Sequence, residues 1–152
     1  MRAVIQRVSS SSVISDGIPT GAIGKGLMIL LGIFKADERL DAELLAAKIA
    51  KLRIFSDENG KMNKSVLDIG GEALVVSNFT LCANYSHGNR PDYLNAESPE
   101  QAQEMYEYFI SLLRREMKVE TGVFGAHMAL SIENDGPITI VMDSDVLRKK
   151  GK

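Results

Sequence analysis

The side chains that most often act as nucleophiles, bases or metal ligands are scarce in this sequence. There is one cysteine, Cys82, and there are two histidines, His87 and His127, among 152 residues. Cys82 and His87 are close enough along the chain to form a thiol nucleophile with its base. A lone cysteine after an apolar strand is more often a small buried residue, and we favour that interpretation. Two histidines among scattered carboxylates have no metal-ligand spacing, so no metal site is expected.

Thr80 is a candidate catalytic residue because of its position rather than its residue type. The apolar residues 73–76 predict a buried strand, and this strand ends in Ser77-Asn78-Phe79-Thr80-Leu81. Open sheets place their chemistry at strand ends that face a cleft, which would suit Thr80. A β-branched residue that merely completes a strand is the alternative, and the local sequence alone favours it.

A second unusual segment is Asn134-Asp135-Gly136-Pro137. Residues 128–132 and 138–142 each predict a strand, and the segment between them predicts a tight turn that joins the two. Proline cannot donate to a strand ladder, so it suits such a turn. Only about 5–6% of X-Pro bonds in folded proteins are cis, so local statistics predict a trans bond and a purely structural role.

The elements that must position these residues are a mixture of strands and helices. Residues 3–15 predict one strand or two strands joined by a bend, and the glycine-bounded residues 27–33 predict a buried strand. Residues 36–55 have helical periodicity. Ser98-Pro99-Glu100-Gln101 predicts a helix start with a capping box, and that helix continues to about Met117. Because strands and helices do not alternate regularly, the pattern favours an α+β fold over a doubly wound sheet.

Composition limits the class of protein. The length suits a single domain, residues 1–152, and the 45% hydrophobic and 25% charged residues are average for a globular protein. A net charge of −2 excludes a wholly basic nucleic-acid-binding domain but not a local basic patch. The longest apolar run, residues 27–34, is far shorter than the ~20 residues of a membrane helix. We therefore expect a cytoplasmic protein without a membrane partner, and a loose basic tail at Arg148-Lys149-Lys150-Gly151-Lys152.

Several of these segments resemble those of D-aminoacyl-tRNA deacylases. The N-terminal Met1-Arg2-Ala3-Val4-Ile5-Gln6-Arg7-Val8 resembles that family's first strand. Ser77-Asn78-Phe79-Thr80-Leu81 is similar to its Ser-Gln-Phe-Thr-Leu motif, and Asn134-Asp135-Gly136-Pro137-Ile138-Thr139 is similar to its Asn-x-Gly-Pro-Val-Thr motif. Phe124-Gly125-Ala126-x-Met128 and Gly88-x-Arg90-Pro91 also fit. The matches keep the family's order and span nearly the whole chain.

The resemblance implies a fold, a reaction and a partner. We expect a single α+β domain with a mostly antiparallel, barrel-like β-sheet and two main helices. The implied reaction is hydrolysis of the ester between a D-amino acid and the 3′-terminal adenosine of tRNA, as chiral proofreading in translation, without a cofactor. The implied assembly is a homodimer with active sites at the subunit interface. The tRNA acceptor end is the expected nucleic-acid partner, and DNA is not expected.

The resemblance also implies roles for individual residues. An ester is activated enough for a positioned water or the neighbouring ribose hydroxyl to react, so the protein must chiefly orient it and stabilise the oxyanion. The backbone N–H groups of Phe79 and Thr80 are the expected donors. The residues expected to contact the substrate are Ser77, Asn78, Gly136 and Pro137. The Gly136–Pro137 bond would be cis and would act as a chirality gate in the partner's pocket.

Four questions remain open at this point. Thr80 either shapes the pocket, which we favour, or forms an acyl-enzyme. Arg7 either supports the Gly-Pro loop from behind or points outward. Asn78 stands where the family usually has Gln, and because its side chain is one methylene shorter, a hydrogen bond made by the amide is either kept in a shifted position or lost. If L substrates are rejected by steric exclusion, glycyl-tRNA should be cleaved. The competing functions are a non-catalytic module that binds the tRNA acceptor end and a thiol hydrolase that uses Cys82 and His87.

Overall fold

A long N-terminal strand organises the sheet of this protein. The structure, a computed structural model, describes residues 1–149. Lys150, Gly151 and Lys152, part of the predicted basic tail, lie outside the described residues. The elements in chain order are β1 (Arg2–Ser15), β2 (Ile18–Ile23), β3 (Gly26–Gly32), α1 (Arg39–Ala50), β4 (Phe55–Ser56), β5 (Met62–Lys64), β6 (Glu72–Ser77), a 3₁₀ turn (Phe79–Cys82), α2 (Pro99–Arg114), β7 (Val119–Thr121), β8 (Met128–Asp143) and α3 (Ser144–Lys149).

The main sheet is mixed and nearly closed. β1 pairs antiparallel with β3 through its first half, with β2 through its second half, and with β8 along its whole length. β3 and β6 are parallel, as are β6 and β7. At the far edges, β2 approaches β7 so closely that a Cβ on Gly21 would lie 2.7 Å from the carbonyl oxygen of Thr121. The predicted α+β fold with a mostly antiparallel, barrel-like sheet is confirmed.

Alternation along the central strands divides the core into two layers. One face of the sheet packs against α1 and α2, with residues such as Ile5, Ile29 and Val75 fully buried. The other face fills the barrel with Val8, Val13, Ile23, Met28, Leu74 and Val76. The central strands are therefore apolar on both faces, which is why they read as continuous apolar runs in the sequence.

The two predicted main helices are present, and the first differs from the prediction in extent. α1 is shorter than the predicted residues 36–55, whereas α2 begins at Pro99 as predicted. Ser98 occupies the N-cap position, but its side chain makes no capping hydrogen bond, so the predicted capping box does not form. A third helix, α3, follows β8. Within residues 1–149, no helix has the length and apolar character needed to cross a membrane.

The predicted loose tail is wrong for its first residues because Arg148 belongs to α3 and packs against α1. Its guanidinium donates two hydrogen bonds to the carboxylate of Asp41, at 2.7 and 2.8 Å, and one to Glu38 at 3.3 Å. Asp41 is only 2% exposed. A buried carboxylate needs a countercharge, and Arg148 supplies it.

The predicted hairpin near the C-terminus is also wrong. Residues 128–143 form one strand, β8, whose ends pair with opposite ends of β1. Val8 of β1 pairs with Asn134 and Gln6 pairs with Thr139, so residues 135–138 stand opposite the single residue Arg7. We call residues 135–138 the Gly-Pro bulge. Because β1 is long enough to pair both halves of β8, the chain bulges outward there and does not reverse.

Candidate active site

The predicted site segment forms a turn at the end of β6. Asn78 is extended and keeps the last contact with β3, since its N–H donates to the carbonyl of Leu31 at 2.8 Å. The chain then enters the 3₁₀ turn, in which the N–H of Leu81 donates to the carbonyl of Asn78 at 3.2 Å. The strand end was predicted, but the turn was not.

Gly32 at the end of β3 makes room for this turn. A Cβ at Gly32 would lie 2.9 Å from Cβ of Leu81 and 3.2 Å from the carbonyl oxygen of Asn78. Cβ atoms essentially never lie within 3.0 Å of another non-bonded heavy atom, so a side chain at position 32 would force the turn or the strand to move. The glycine therefore lets the turn rest directly on the neighbouring strand, which fixes its position relative to the sheet.

Two backbone donors on the turn have no partner within residues 1–149. Among the described residues, the N–H groups of Phe79 and Thr80 donate to no protein acceptor. The first N–H groups of any helical turn lack a partner within the turn. Both residues are exposed, Phe79 to 60%. The turn thus presents two adjacent donors where a carbonyl oxygen could be bound.

The side chain of Thr80 is engaged locally. Its hydroxyl donates to Oδ1 of Asn78 at 2.5 Å. Within the part of the chain that the structure describes, this is its only hydrogen bond, so no histidine or carboxylate receives its proton. The structure therefore brings Thr80 and Asn78 together, and among residues 1–149 it places no base in hydrogen-bond contact with the Thr80 hydroxyl.

Cys82 follows the same turn but is inaccessible. The side chain is 2% exposed, and its Sγ lies 3.5 Å from the carbonyl oxygen of Ile33. Burial raises the pKa of the thiol, and the negative charge of Asp37 raises it further. His87, by contrast, is exposed. These features oppose a thiolate nucleophile and favour the packing role expected for Cys82.

Arg7 supports the second predicted site segment, which contains Gly136 and Pro137. Gly136 and Pro137 are exposed, and the bond between them is cis, as the family resemblance implied and local statistics did not. Arg7 Nε donates to the carbonyl oxygen of Asp135 at 3.1 Å and lies 3.3 Å from its carboxylate. Arg7 Nη1 donates to the carbonyl of Ile54 at 2.9 Å. Its side chain is 13% exposed, so it points inward.

Asn134 closes the base of the Gly-Pro bulge. Its Nδ2 donates to the carbonyl of Arg7 at 3.2 Å and to that of Ile138 at 3.0 Å. One amide therefore joins the two ends of the bulge to β1. Together with Arg7, it fixes a loop whose tip is otherwise exposed.

The two site segments do not meet within one chain. Ser77 pairs with Leu31, which pairs with Ala3, whereas Arg7 opposite the bulge pairs with Leu27. The bulge is therefore displaced by about four residues, or ~13 Å, along the strands and by three strand spacings, or ~14 Å, across the sheet. The contacts expected from Ser77 and Asn78 and those expected from Gly136 and Pro137 belong to separate places on the surface.

Arg2 is a supporting residue that the sequence reasoning missed. Its Nη1 donates to the carbonyl of Leu81 in the turn at 3.1 Å. Its Nε and Nη2 donate to the carboxylate of Asp143 at 2.7 and 3.3 Å, and the guanidinium lies over the ring of Phe34. Arg2 thereby fastens the turn to the end of β8. The strand register, in which Arg2 pairs with Asp143, could have revealed the contact with Asp143, whereas the contact with Leu81 follows from the 3₁₀ turn.

No cluster of three or more His, Cys, Asp or Glu side chains in residues 1–149 is arranged to hold a metal ion. The site is instead built from backbone groups, an amide, a hydroxyl and two supporting arginines.

Comparisons with known proteins place these features in a family. Residues 4–143 match the family described as D-Tyr-tRNA(Tyr) deacylase. The D-aminoacyl-tRNA deacylase of Persephonella marina is 56% identical over 97% of this chain and 100% of its own length. That of Thermosipho melanesiensis is 53% identical over 95% of this chain and 97% of its own.

Solved structures agree on the fold. The c-Myc DNA Unwinding Element Binding Protein superposes with a TM-score of 0.89 at 43% identity and covers 94% of this chain and 98% of its own. A probable eukaryotic D-amino acid tRNA deacylase superposes with a TM-score of 0.82, covering 93% of this chain and 98% of its own, and at 14% identity it shows likeness of fold alone. The matches over nearly the whole length show that this chain belongs to the D-Tyr-tRNA(Tyr) deacylase family of hydrolases.

Proposed function

We propose that this protein hydrolyses the ester bond of D-aminoacyl-tRNA, releasing free amino acid and tRNA, as chiral proofreading in the cytoplasm. The observation that carries the proposal is the pair of free N–H groups at Phe79 and Thr80 on an exposed turn. Family membership supports the substrate class.

The proposed chemistry needs few side chains. A water attacks the ester carbonyl, whose oxygen becomes an oxyanion bound by the N–H groups of Phe79 and Thr80. The bond to the 3′ oxygen of the ribose then breaks, and the proton that the attacking water loses passes through the neighbouring ribose hydroxyl to that 3′ oxygen. Thr80 donates its own proton to an amide oxygen, which is not a base. This arrangement supports a role for Thr80 in shaping the pocket rather than in forming an acyl-enzyme.

The proposed active unit is a homodimer with two equivalent sites at the interface. The separation of the Gly-Pro bulge from the 3₁₀ turn within one chain supports this arrangement. An apolar row also starts at β8 on the face of the sheet opposite the helices, because Val141 pairs with Val4 and Val4 pairs with Leu30. Val141 at its end is 62% exposed. A second copy that covers this row, related by a two-fold axis, would carry its bulge to the turn of the first.

The Gly-Pro bulge is the proposed chirality gate. Arg7 and Asn134 hold its backbone in place, so it cannot retreat from a side chain that meets it. We expect the side chain of an L-amino acid to meet this backbone, whereas a D side chain points away from it. Glycine has no side chain to exclude, and glycyl-tRNA is therefore a second expected substrate.

The function is tested by single-turnover deacylation of D-tyrosyl-, L-tyrosyl- and glycyl-tRNA by purified protein with a chelator present. Release is expected from the D-tyrosyl and glycyl substrates and not from the L-tyrosyl substrate. No release from D-tyrosyl-tRNA would contradict the function, and binding without turnover would support the acceptor-end binding module. Resistance of glycyl-tRNA alone would contradict only the steric account.

The interface sites are tested by complementation. A Phe79→Pro subunit lacks one donor of the turn, and a Gly136→Ala subunit has a distorted bulge because the new Cβ would lie 2.6 Å from the nitrogen of Ile138. Each homodimer should be inactive. After subunit exchange, the mixed dimers contain one intact site, and total activity should reach about a quarter of the wild-type value. Activity no higher than that of the separate variants would contradict sites shared between subunits.

A further inference from the structure

A self-supporting loop follows the 3₁₀ turn and ends beside the segment after β3. The N–H of Ala83 donates to the carbonyl of Thr80 at 3.2 Å, and Asn84 and Asp92 exchange two backbone hydrogen bonds of 2.8 and 2.9 Å. The N–H of Lys35 donates to the carbonyl of Asn95 at 3.0 Å. We call residues 83–95 the aromatic loop. Its ends are tied to the turn and to the segment after β3, so its position relative to Thr80 is fixed.

The aromatic loop exposes large apolar side chains beside the candidate site. Tyr85 is 82% exposed, Leu94 is 72% exposed and Tyr93 is 37% exposed. The ring of Tyr93 packs edge-to-face against that of Phe79, with centroids 5.0 Å apart. The proposed chemistry uses the backbone of Phe79 but none of these rings. Several exposed rings at one place mark a contact surface.

Two cations accompany these rings. Lys35 and Arg90 are exposed, and neither has a carboxylate within 4.0 Å among residues 1–149. The acidic residue of the loop, Asp92, directs Oδ1 to the N–H of Leu94 at 3.1 Å. Exposed aromatic rings next to free cations are the combination that binds single-stranded nucleic acid, because bases stack on the rings and phosphates approach the cations.

We propose that the aromatic loop binds the unpaired nucleotides that precede the terminal adenosine of the tRNA. The inference rests on the proposed function, which places the ester at Phe79 and Thr80. The nucleotides before the ester must leave the site over a neighbouring surface, and the aromatic loop continues directly from the turn. Tyr85 and Tyr93 offer the stacking surfaces, and Arg90 and Lys35 offer the phosphate contacts. A second protein copy is a poorer match, since the centres of protein interfaces are depleted in charge.

The test compares substrates that differ only in these nucleotides. D-tyrosyl-adenosine lacks them, whereas D-tyrosyl-tRNA carries them. Tyr85→Ala should raise KM for the tRNA by about 5- to 100-fold and leave kinetics with D-tyrosyl-adenosine within about twofold of wild type. Tyr85→Phe should retain tRNA binding because the stacking face remains. Tyr108→Ala, a partly exposed tyrosine on α2, is the matched control and should change neither substrate's KM.

A second readout is the salt dependence of tRNA binding. If Arg90 contacts one phosphate, Arg90→Ala should lower the slope of log K against log salt by about 0.7. Three results with Tyr85→Ala would overturn the proposal. They are unchanged kinetics with D-tyrosyl-tRNA, an equal loss of activity with D-tyrosyl-tRNA and D-tyrosyl-adenosine, and a shift of the variant from dimer to monomer in sedimentation. An inactive wild-type protein would instead contradict the proposed function itself.

Discussion

The hydroxyl of Thr80 donates a hydrogen bond to Oδ1 of Asn78 over 2.5 Å. The acceptor is a neutral amide oxygen, so the bond orients both side chains without removing a proton from Thr80. It also leaves the two N–H donors of the Asn78 amide available to a ligand. The shorter side chain at position 78, where the family usually has Gln, is thus tied to the turn.

We predict that Thr80→Ala lowers the single-turnover rate on D-tyrosyl-tRNA by no more than about tenfold, because it removes one orienting hydrogen bond. Thr80→Ser should stay close to wild type, since it keeps the donor. Quenched-flow deacylation measures both rates. A loss of about a thousandfold or more in the alanine variant, with an acyl-enzyme trapped from wild type, would identify Thr80 as a nucleophile instead.

The oxyanion role of the backbone is tested by deleting one N–H. Phe79 is the first residue of the turn, where proline is tolerated, and Asn78 before it is extended. Phe79→Pro should lower the rate by about 10²–10³ relative to Phe79→Ala, because only the proline variant lacks the N–H. The comparison cancels the loss of the aromatic ring. Equal rates in two folded variants, checked by thermal unfolding, would exclude the N–H of Phe79 as a donor.

Much of the fold was predictable because its signals are local. Glycines bound the apolar strand β3, and Ser98-Pro99 marks the start of α2. β8 was mispredicted because an Asn-Asp-Gly-Pro segment suits a bulge as well as a turn. Only the pairing of β8 with the full length of β1 decides between them. The residue types indicate a break in regular strand geometry at this segment, but they do not show which strand pairs on either side of it.

The site was predictable in its parts but not in its geometry. Segment 77–80 stands out by its position at the end of a predicted strand, and the Gly-Pro bulge stands out by its residue types. Their separation depends on strand register, and the contact of Arg2 with Leu81 depends on a turn that has no strong sequence signal. The C-terminal cation Arg148 likewise looked like part of a solvated tail, because its buried partner Asp41 lies on another helix.

The Asp41–Arg148 pair makes stability depend on pH. Burial alone would raise the pKa of Asp41, but hydrogen bonds from Arg148 and from the N–H of Glu38 lower it to about 2. A lowered folded-state pKa stabilises the protein above the unfolded value of about 4, and this contribution, about 2 kcal/mol, is lost as pH falls toward 2.

Asp41→Asn should therefore lower the free energy of unfolding at pH 7, and the difference from wild type should shrink between pH 4 and pH 2. Urea unfolding across this range measures it. Glu38→Gln is the matched control, because Glu38 is an exposed partner of the same arginine and its loss should change stability little. A difference that stays constant with pH would contradict the lowered pKa.

Arg2 should affect catalysis through the position of the turn. The Arg2 side chain donates hydrogen bonds both to the carbonyl of Leu81 in the turn and to the carboxylate of Asp143 in β8. Without these bonds the turn is no longer connected to β8, so the N–H donors of Phe79 and Thr80 are positioned less accurately. We predict that Arg2→Ala lowers kcat by about tenfold with KM within about twofold, since the loss falls on the transition state. Arg2→Lys, which keeps a charged donor, should recover part of the rate.

The matched control for Arg2 is Arg53. Its guanidinium also donates two hydrogen bonds, to the carbonyl and to the side chain of Asn63, which lies in β5. Arg53→Ala should lower thermal stability by a similar amount and leave kcat unchanged. Adding guanidinium ion at non-denaturing concentration should restore activity to Arg2→Ala and do nothing for wild type. If kcat in Arg2→Ala falls only as far as the folded fraction falls, or if Arg53→Ala loses as much activity, Arg2 supports the fold alone and does not position the turn.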